Sequence, residues 1–531
     1  MSAGTWRRGW PLAGAVALAA VVGLVAPSNP ASAQKPELLV GKAGPLPKDI
    51  SPGISACATC HSGADQRSVN LFVTLHKSHE FIKFDESHTW RGQDVHAIAH
   101  LALSGPLGKQ MGEDLGYDVA KAPQCLTCHA LDLTPTAPLA EKQFFATQGV
   151  NCTGCHGTKE TWQVRHYKEA ADGSGIAWRA MTPAEKAEAG LADLRNPAVR
   201  AKKCVSCHIG NPDEGKVVTH EMFSAGHPPL PPFELVTFQE SEPRHWGYPS
   251  ELPYFKNVPA NKTWPLYRFH PADRESYHAR QMAAGAVAAL RAEAQKLLAE
   301  AREAQKPDAD GMDYAAFDCY ACHHELRSKS DRQSRTTRDG RGGRPTVRKA
   351  AGALAGVFAG NAAGIEVGGL KARAAGFDEK WAELRAAVVS KTFGRPQRIA
   401  TAAADVIRWC DGFLNVLEEC PQPIYTKEQT DRLLPALAAA TERTTADPDG
   451  ALCLSWAYLS LRKSARGSHD QERLREFARA VPPSVRVAPF AVMEKEKWVP
   501  IAPRYGDRMD WVADFETHRF RAAFKSAVGS R

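Results

Sequence analysis

Apolar positions fall into two regimes along the 531-residue chain. From residue 279 onward they recur at helical spacing. Residues 279–305, rich in Ala, Leu, Glu and Gln, predict one long helix by propensity and by apolar spacing. Residues 350–364, 379–391, 396–419, 426–443, 449–464 and 470–480 carry Ala-rich faces with short connections. That pattern predicts a bundle or helical repeats, with no fixed repeat period. Before residue 279 the periodic stretches are shorter. Asp94–Leu103 predicts a helix whose Val95, Ile98, Ala99 and Ala102 share a face, with His96 and His100 projecting from one side. The run His220–Trp246 has four prolines just after His227, which predicts a fixed loop rather than a helix. Residues 34–56, with Pro36, Pro45, Pro47 and Pro52, predict an irregular leader. The fold class read from this pattern is mainly α.

The cysteines change the picture of the first half. Ten of the 13 occur in five copies of one word: CATCH at Cys57–His61, CLTCH at Cys125–His129, CTGCH at Cys152–His156, CVSCH at Cys204–His208 and CYACHH from Cys319. Each copy holds two cysteines two residues apart and then a histidine. That is the attachment signature of c-type haem. Cys57, Cys60, Cys125, Cys128, Cys152, Cys155, Cys204, Cys207, Cys319 and Cys322 would add to haem vinyl groups, and His61, His129, His156, His208 and His323 would take the proximal iron position. A lone copy would leave zinc open. Five copies, every one followed by His, predict five covalent haems c. The remaining Cys410, Cys420 and Cys453 read equally as a disulfide pair or as buried thiols.

Histidine usage follows the same division. Of the 14 histidines outside the words, twelve precede residue 325. Methionines there are few, so most irons are expected to be bis-histidine and of low potential. His96, His166, His220, His227 and His245 are the foremost distal ligands, with His278 next. His324 adjoins a proximal ligand and is expected to point away from that iron.

The chain carries its own address. Arg7 and Arg8, the apolar run Leu12–Ala26 and Ala31-Ser32-Ala33 predict a signal peptide over 1–33 and a periplasmic or otherwise exported protein. No later segment is long and apolar enough to span a bilayer. The formal charge of +8 falls to +6 without Arg7 and Arg8. Haem propionates bring it closer to neutral, so nucleic-acid binding is not implied. Residues 327–349 read as a basic linker, either a solvated tether or a docking strip for an acidic partner or anionic lipid. The expected organisation is a signal peptide (1–33), a haem domain wrapped by helices and loops (34–326), the linker (327–349) and a helical domain (350–531).

The first half resembles the cytochrome c-552/4 family of multihaem cytochromes, which includes cytochrome c-554. The resemblance covers residues 55–325 and rests on several stretches. They are Gly149-Val150-Asn151 before CTGCH with Gly157 after it, Trp90 through His96, the position of His166, the pieces around His227, Arg244-His245-Trp246 and CYACHHEL. Five haem words exceed the four of the tetrahaem member. The resemblance implies a compact, mostly helical domain of closely stacked porphyrins that transfers electrons between redox partner proteins. It also implies a second reading. The family includes a five-coordinate haem at the second position, here that of His129, and an open iron there would make the chain an oxidoreductase of hydroxylamine, nitric oxide or nitrite.

Overall fold

The computed structural model describes residues 57–58, 61–62, 85–130, 147–157, 162–166, 178, 181–246, 275–323, 344–390, 395–420, 422–444, 447–466, 491–494, 497–500 and 517–528. The signal segment, Cys60, His324, residues 324–343 of the basic stretch and the helix expected at 470–480 lie outside them. The fold is mainly α. In chain order the helices are α1 (Glu86–Gln93), α2 (Leu101–Ser104), α3 (Pro106–Leu115), α4 (Pro123–His129), α5 (Cys152–His156), α6 (Pro183–Glu188), α7 (Pro197–His208), α8 (His220–Ser224), α9 (Leu235–Ser241) and α10 (Tyr277–Glu303). They continue with α11 (Ala350–Ala362), α12 (Leu370–Ala374), α13 (Phe377–Val389), α14 (Pro396–Glu419), α15 (Lys427–Arg443) and α16 (Pro448–Arg466). An antiparallel hairpin follows, β1 (Ala491–Glu494) with β2 (Lys497–Pro500), which pairs Val492 with Val499. The last helix is α17 (Thr517–Val528).

Two local expectations are corrected. The helix expected over 94–103 is a 3-10 turn at Val95–Ile98 followed by α2. Asp94 accepts the His96 N–H on its own carboxylate at 2.9 Å, which starts a tight turn in place of a helical one. The proline-rich run after His220 is extended only in its middle. Thr219 caps α8 by accepting the Met222 N–H at 3.2 Å. Glu234 caps α9 by accepting from Val236 at 3.1 Å and Thr237 at 2.8 Å. The prolines govern only the residues between these caps.

Helix α10 is the centre of the molecule. Residues 279–290 are buried on every side, including Arg280 and Gln281. A helix hydrophobic all round belongs in a core, and here alanines at 279, 283, 284, 286, 288 and 289 let neighbours approach closely. One continuous core joins α10 to α7, α9, the helices from α11 to α16, and α17. Arg291 on α10 pairs with Asp411 on α14 at 2.6 Å, and Lys202 on α7 reaches Glu418 at 3.4 Å.

The expected boundary at 327–349 is therefore not a break in the core. Thr346 and Val347 are buried. Asp318 N–H donates to the Thr346 carbonyl at 2.8 Å. Arg348 donates to the carbonyls of Ala315 (3.0 Å) and Phe317 (3.2 Å). The end of the basic stretch packs onto the fifth CxxCH word because its backbone and Arg348 satisfy buried groups there. Cys410, Cys420 and Cys453 are buried and unbridged. Cys410 lies within α14 and Cys420 ends it, and ten helical positions separate two backbones by about 15 Å.

Candidate functional site

Three of the CxxCH words close a helix with the histidine as the last helical residue: His129 on α4, His156 on α5 and His208 on α7. Helical spacing of three puts both cysteines of a word on one face. Asn151 caps α5 by accepting the Thr153 N–H at 3.1 Å, and Asn196 caps α7 by accepting from Ala198 at 2.9 Å. The fifth word is a 3-10 turn, Cys319–Ala321, held by Asp318, which accepts from Tyr320 at 3.0 Å.

Two glycines fix the third word against its neighbours. Gly149 has φ +60, and a Cβ there would stand 2.3 Å from the His96 carbonyl oxygen. This close approach allows Val150 N–H to donate to that oxygen at 2.8 Å, while Trp90 Nε1 donates to the Val150 carbonyl at 3.0 Å. Gly157 has φ +107, and a Cβ would lie 2.3 Å from the Gly190 carbonyl oxygen. Replacing Gly149 with alanine is expected to displace the His96 turn and to destabilise the protein by about 1–3 kcal/mol, from positive φ and the clash together. Thermal denaturation of the purified variant checks it, and an unchanged midpoint would contradict the assignment.

The histidines meet in pairs, each joining one word to one residue outside the words. Ring centres of His61 and His166 are 6.3 Å apart, those of His96 and His208 6.0 Å, those of His129 and His227 6.3 Å, and those of His220 and His323 6.4 Å. A metal bonded to an imidazole nitrogen stands about 2 Å from it, so two rings on opposite sides of one metal have centres roughly 6 Å apart. The histidine of the third word, His156, feels the charge of His245 more strongly than that of any other residue. His245 has a buried Nδ1 without a hydrogen-bond partner. Four of the five expected distal histidines thus lie beside the histidine of a word, and His245 acts on His156 through its charge. His278 instead faces Glu240 at 3.9 Å.

In four of these residues the other ring nitrogen is engaged. His61 Nδ1 meets Glu86 Oε2 at 2.9 Å, and His96 Nδ1 meets Asp94 Oδ1 at 2.9 Å and Glu242 Oε1 at 3.6 Å. His129 Nδ1 donates to the Ala99 carbonyl at 3.0 Å, and His227 Nδ1 to the Pro228 carbonyl at 2.9 Å. An Nδ1–H so engaged fixes the tautomer and leaves Nε2 as the ligating atom. Burial holds His156 and His227 down to about 4 and His208 to about 3, so their lone pairs are available at neutral pH. His96 differs. Burial opposes its charge, yet Asp94 and Glu242 raise it to about 9. His61 shifts upward in the same way, against burial, through Glu86.

Packing completes the pockets. His166 lies between Trp162 (6.2 Å) and Trp178 (5.5 Å). His208 rests on Phe238 at 5.0 Å, and His220 on Tyr314 at 5.7 Å. Glu86, Asp94 and Glu242 were not identified from sequence. Asp94 stands two residues before His96, which is a weak local signal, whereas Glu86 and Glu242 reach their histidines only through the fold.

This donor set suits haem c: paired thiols, adjacent imidazoles, a second imidazole at ligating distance in four pairs and four Nδ1 groups already engaged. Among the described residues no helix is long and apolar enough to cross a membrane. Residues 56–157, which contain the first three words, match the model of the family described as cytochrome c554 and c-prime. The match stops at Gly157, short of the 55–325 span of the resemblance. No curated protein and no solved structure matches the chain. Over that segment, which is less than a fifth of the chain, the sequence is similar to the cytochrome c554 and c-prime family.

Proposed function

We propose that the protein is an exported electron carrier with five haems c, each iron held by two histidines. The pairs are His61 with His166, His129 with His227, His156 with His245, His208 with His96, and His323 with His220. The observation that carries this reading is the common ring spacing of 6.0–6.4 Å in four pairs, each made of one word histidine and one other. Haem supplies the one-electron iron couple. The chain's residues hold the rings coaxially, exclude water and set the neighbours of each site.

Neighbouring words lie close enough to form a route. The thiols of Cys57 and Cys152 are within hydrogen-bonding reach, as are those of Cys128 and Cys207. Cys155 feels the charge of Cys204 and Cys207. One short segment, beginning at helix α8, carries both His220 and His227 and so ties the fifth word to the second. The order along the route is then Cys57, Cys152, Cys204, Cys125 and Cys319. Redox partner proteins would dock at its ends.

The competing reading is an oxidoreductase of hydroxylamine, nitric oxide or nitrite with an open iron at His129. His227 counts against it, because its ring stands 6.3 Å from His129, the same spacing as in the other pairs. Electron paramagnetic resonance of the oxidised, haem-quantified protein separates the two. Five low-spin haems are expected, in two classes. The rings are near perpendicular in His96–His208 (88°) and His129–His227 (76°), but closer to parallel in His61–His166 (31°) and His220–His323 (32°). Parallel rings act on the same iron d orbital and split the d levels, whereas perpendicular rings leave them nearly degenerate and give a more anisotropic signal. A substantial high-spin signal, with carbon monoxide bound on reduction, would overturn the carrier reading.

A further inference from the structure

The partners of Nδ1 divide the sites into two kinds. At His96, Asp94 lies 2.9 Å away and Glu242 3.6 Å away on the same nitrogen, and Asp94 is only 4% exposed. At His61, Glu86 is 2.9 Å away. At His129 and His227 the acceptors are neutral backbone carbonyls, of Ala99 and Pro228. A buried carboxylate draws the Nδ1 proton more strongly than a carbonyl, so the ring becomes a stronger electron donor through Nε2. Its negative charge also favours the ferric state by direct attraction. Hydrogen bonding to an axial ligand is one of the means by which a protein sets the potential of a haem.

We infer that Glu86, Asp94 and Glu242 are positioning residues that hold the His61–His166 and His96–His208 sites at lower potential than the His129–His227 site, so that electrons drain toward the last. This rests on the bis-histidine reading above. The transfer is of one electron at a time and moves no proton. The direction follows from residues Glu86, Asp94 and Glu242 rather than from the haem words, which are alike.

The test is a potentiometric titration, followed optically and by electron paramagnetic resonance, of the loaded full-length protein and its Asp94→Asn, Glu242→Gln and Glu86→Gln variants. In Asp94→Asn the site with perpendicular rings nearest Asp94 is expected to become at least tenfold easier to reduce, which is a rise of about 59 mV for one electron. Asp94→Glu is expected to restore most of that. Glu242→Gln, which removes no cap from the 3-10 turn, is expected to move the same site in the same direction by less. If Asp94→Asn fails to load haem, Glu242→Gln decides the matter. Unchanged potentials with every low-spin signal intact would overturn this inference and leave the bis-histidine reading standing. A high-spin signal already present in the unmodified protein would instead overturn that reading.

Discussion

Replacing His227 with alanine should turn one low-spin haem into a high-spin one that binds carbon monoxide when reduced. His227 is half-buried, its Nδ1 donates to the Pro228 carbonyl at 2.9 Å, and its ring centre is 6.3 Å from that of His129. The prolines that follow hold the segment extended, so no neighbouring residue can slide in to replace the lost ring. About one haem in five is affected, with the others unchanged, because each axial pair is separate. His227→Met should keep the site six-coordinate and raise its potential, since thioether ligation favours the ferrous state. Quantified electron paramagnetic resonance and the carbon monoxide difference spectrum read both outcomes. If the alanine variant keeps all its low-spin intensity, His227 is not the ligand opposite His129.

The second large effect lies outside the CxxCH words. Arg280 is 4% exposed at its side chain and Glu275 2%, and they pair at 3.1 Å. Arg280 also donates to the carbonyls of Leu417 (2.8 Å) and Cys420 (2.7 Å), which are among the unpaired acceptors at the end of α14. Glu275 accepts the N–H groups of Ile424 (3.0 Å) and Tyr425 (3.1 Å). The pair thus fastens the start of α10 to the turn between α14 and α15. Arg280→Ala would leave a buried carboxylate and two carbonyls unsatisfied, and a loss of about 3–5 kcal/mol is expected. Urea denaturation followed by far-ultraviolet circular dichroism measures it. The double replacement Glu275→Gln with Arg280→Met should cost less than the sum of the two single changes, because each single change strands the other partner. A loss under about 1 kcal/mol for Arg280→Ala would mean that water reaches these groups.

The haem words and the long helices were legible because both are local patterns. Two thiols and an imidazole must be adjacent in sequence to serve one porphyrin, so CATCH, CLTCH, CTGCH, CVSCH and CYACH announce themselves in the chain. Helices α10 and α14 follow from apolar spacing and propensity, and the structure begins and ends them within two residues of the expected bounds. Local capping was harder to read. At Thr219 and Glu234, short polar side chains overrode the expectation drawn from nearby prolines, and at Asp94 one carboxylate tightened a turn that apolar spacing had marked as helix.

Pairing was not legible at all. The histidines at 96, 166, 220, 227 and 245 could be singled out by type and neighbourhood, but nothing in one dimension matches His220 to His323 across a hundred residues, or sends His96 to the fourth word instead of the second. The same holds for Glu86, whose approach to His61 spans 25 positions, and for Arg280, which reaches Cys420 across 140. These contacts depend on how helices stack around α10, and stacking is set by shape and burial summed over the whole core. Sequence therefore specifies the chemistry of each group and the local frame that carries it. The fold specifies which histidine rings face each other, which carboxylate meets which ring, and that the C-terminal helices form one core with α7, which carries the fourth CxxCH word.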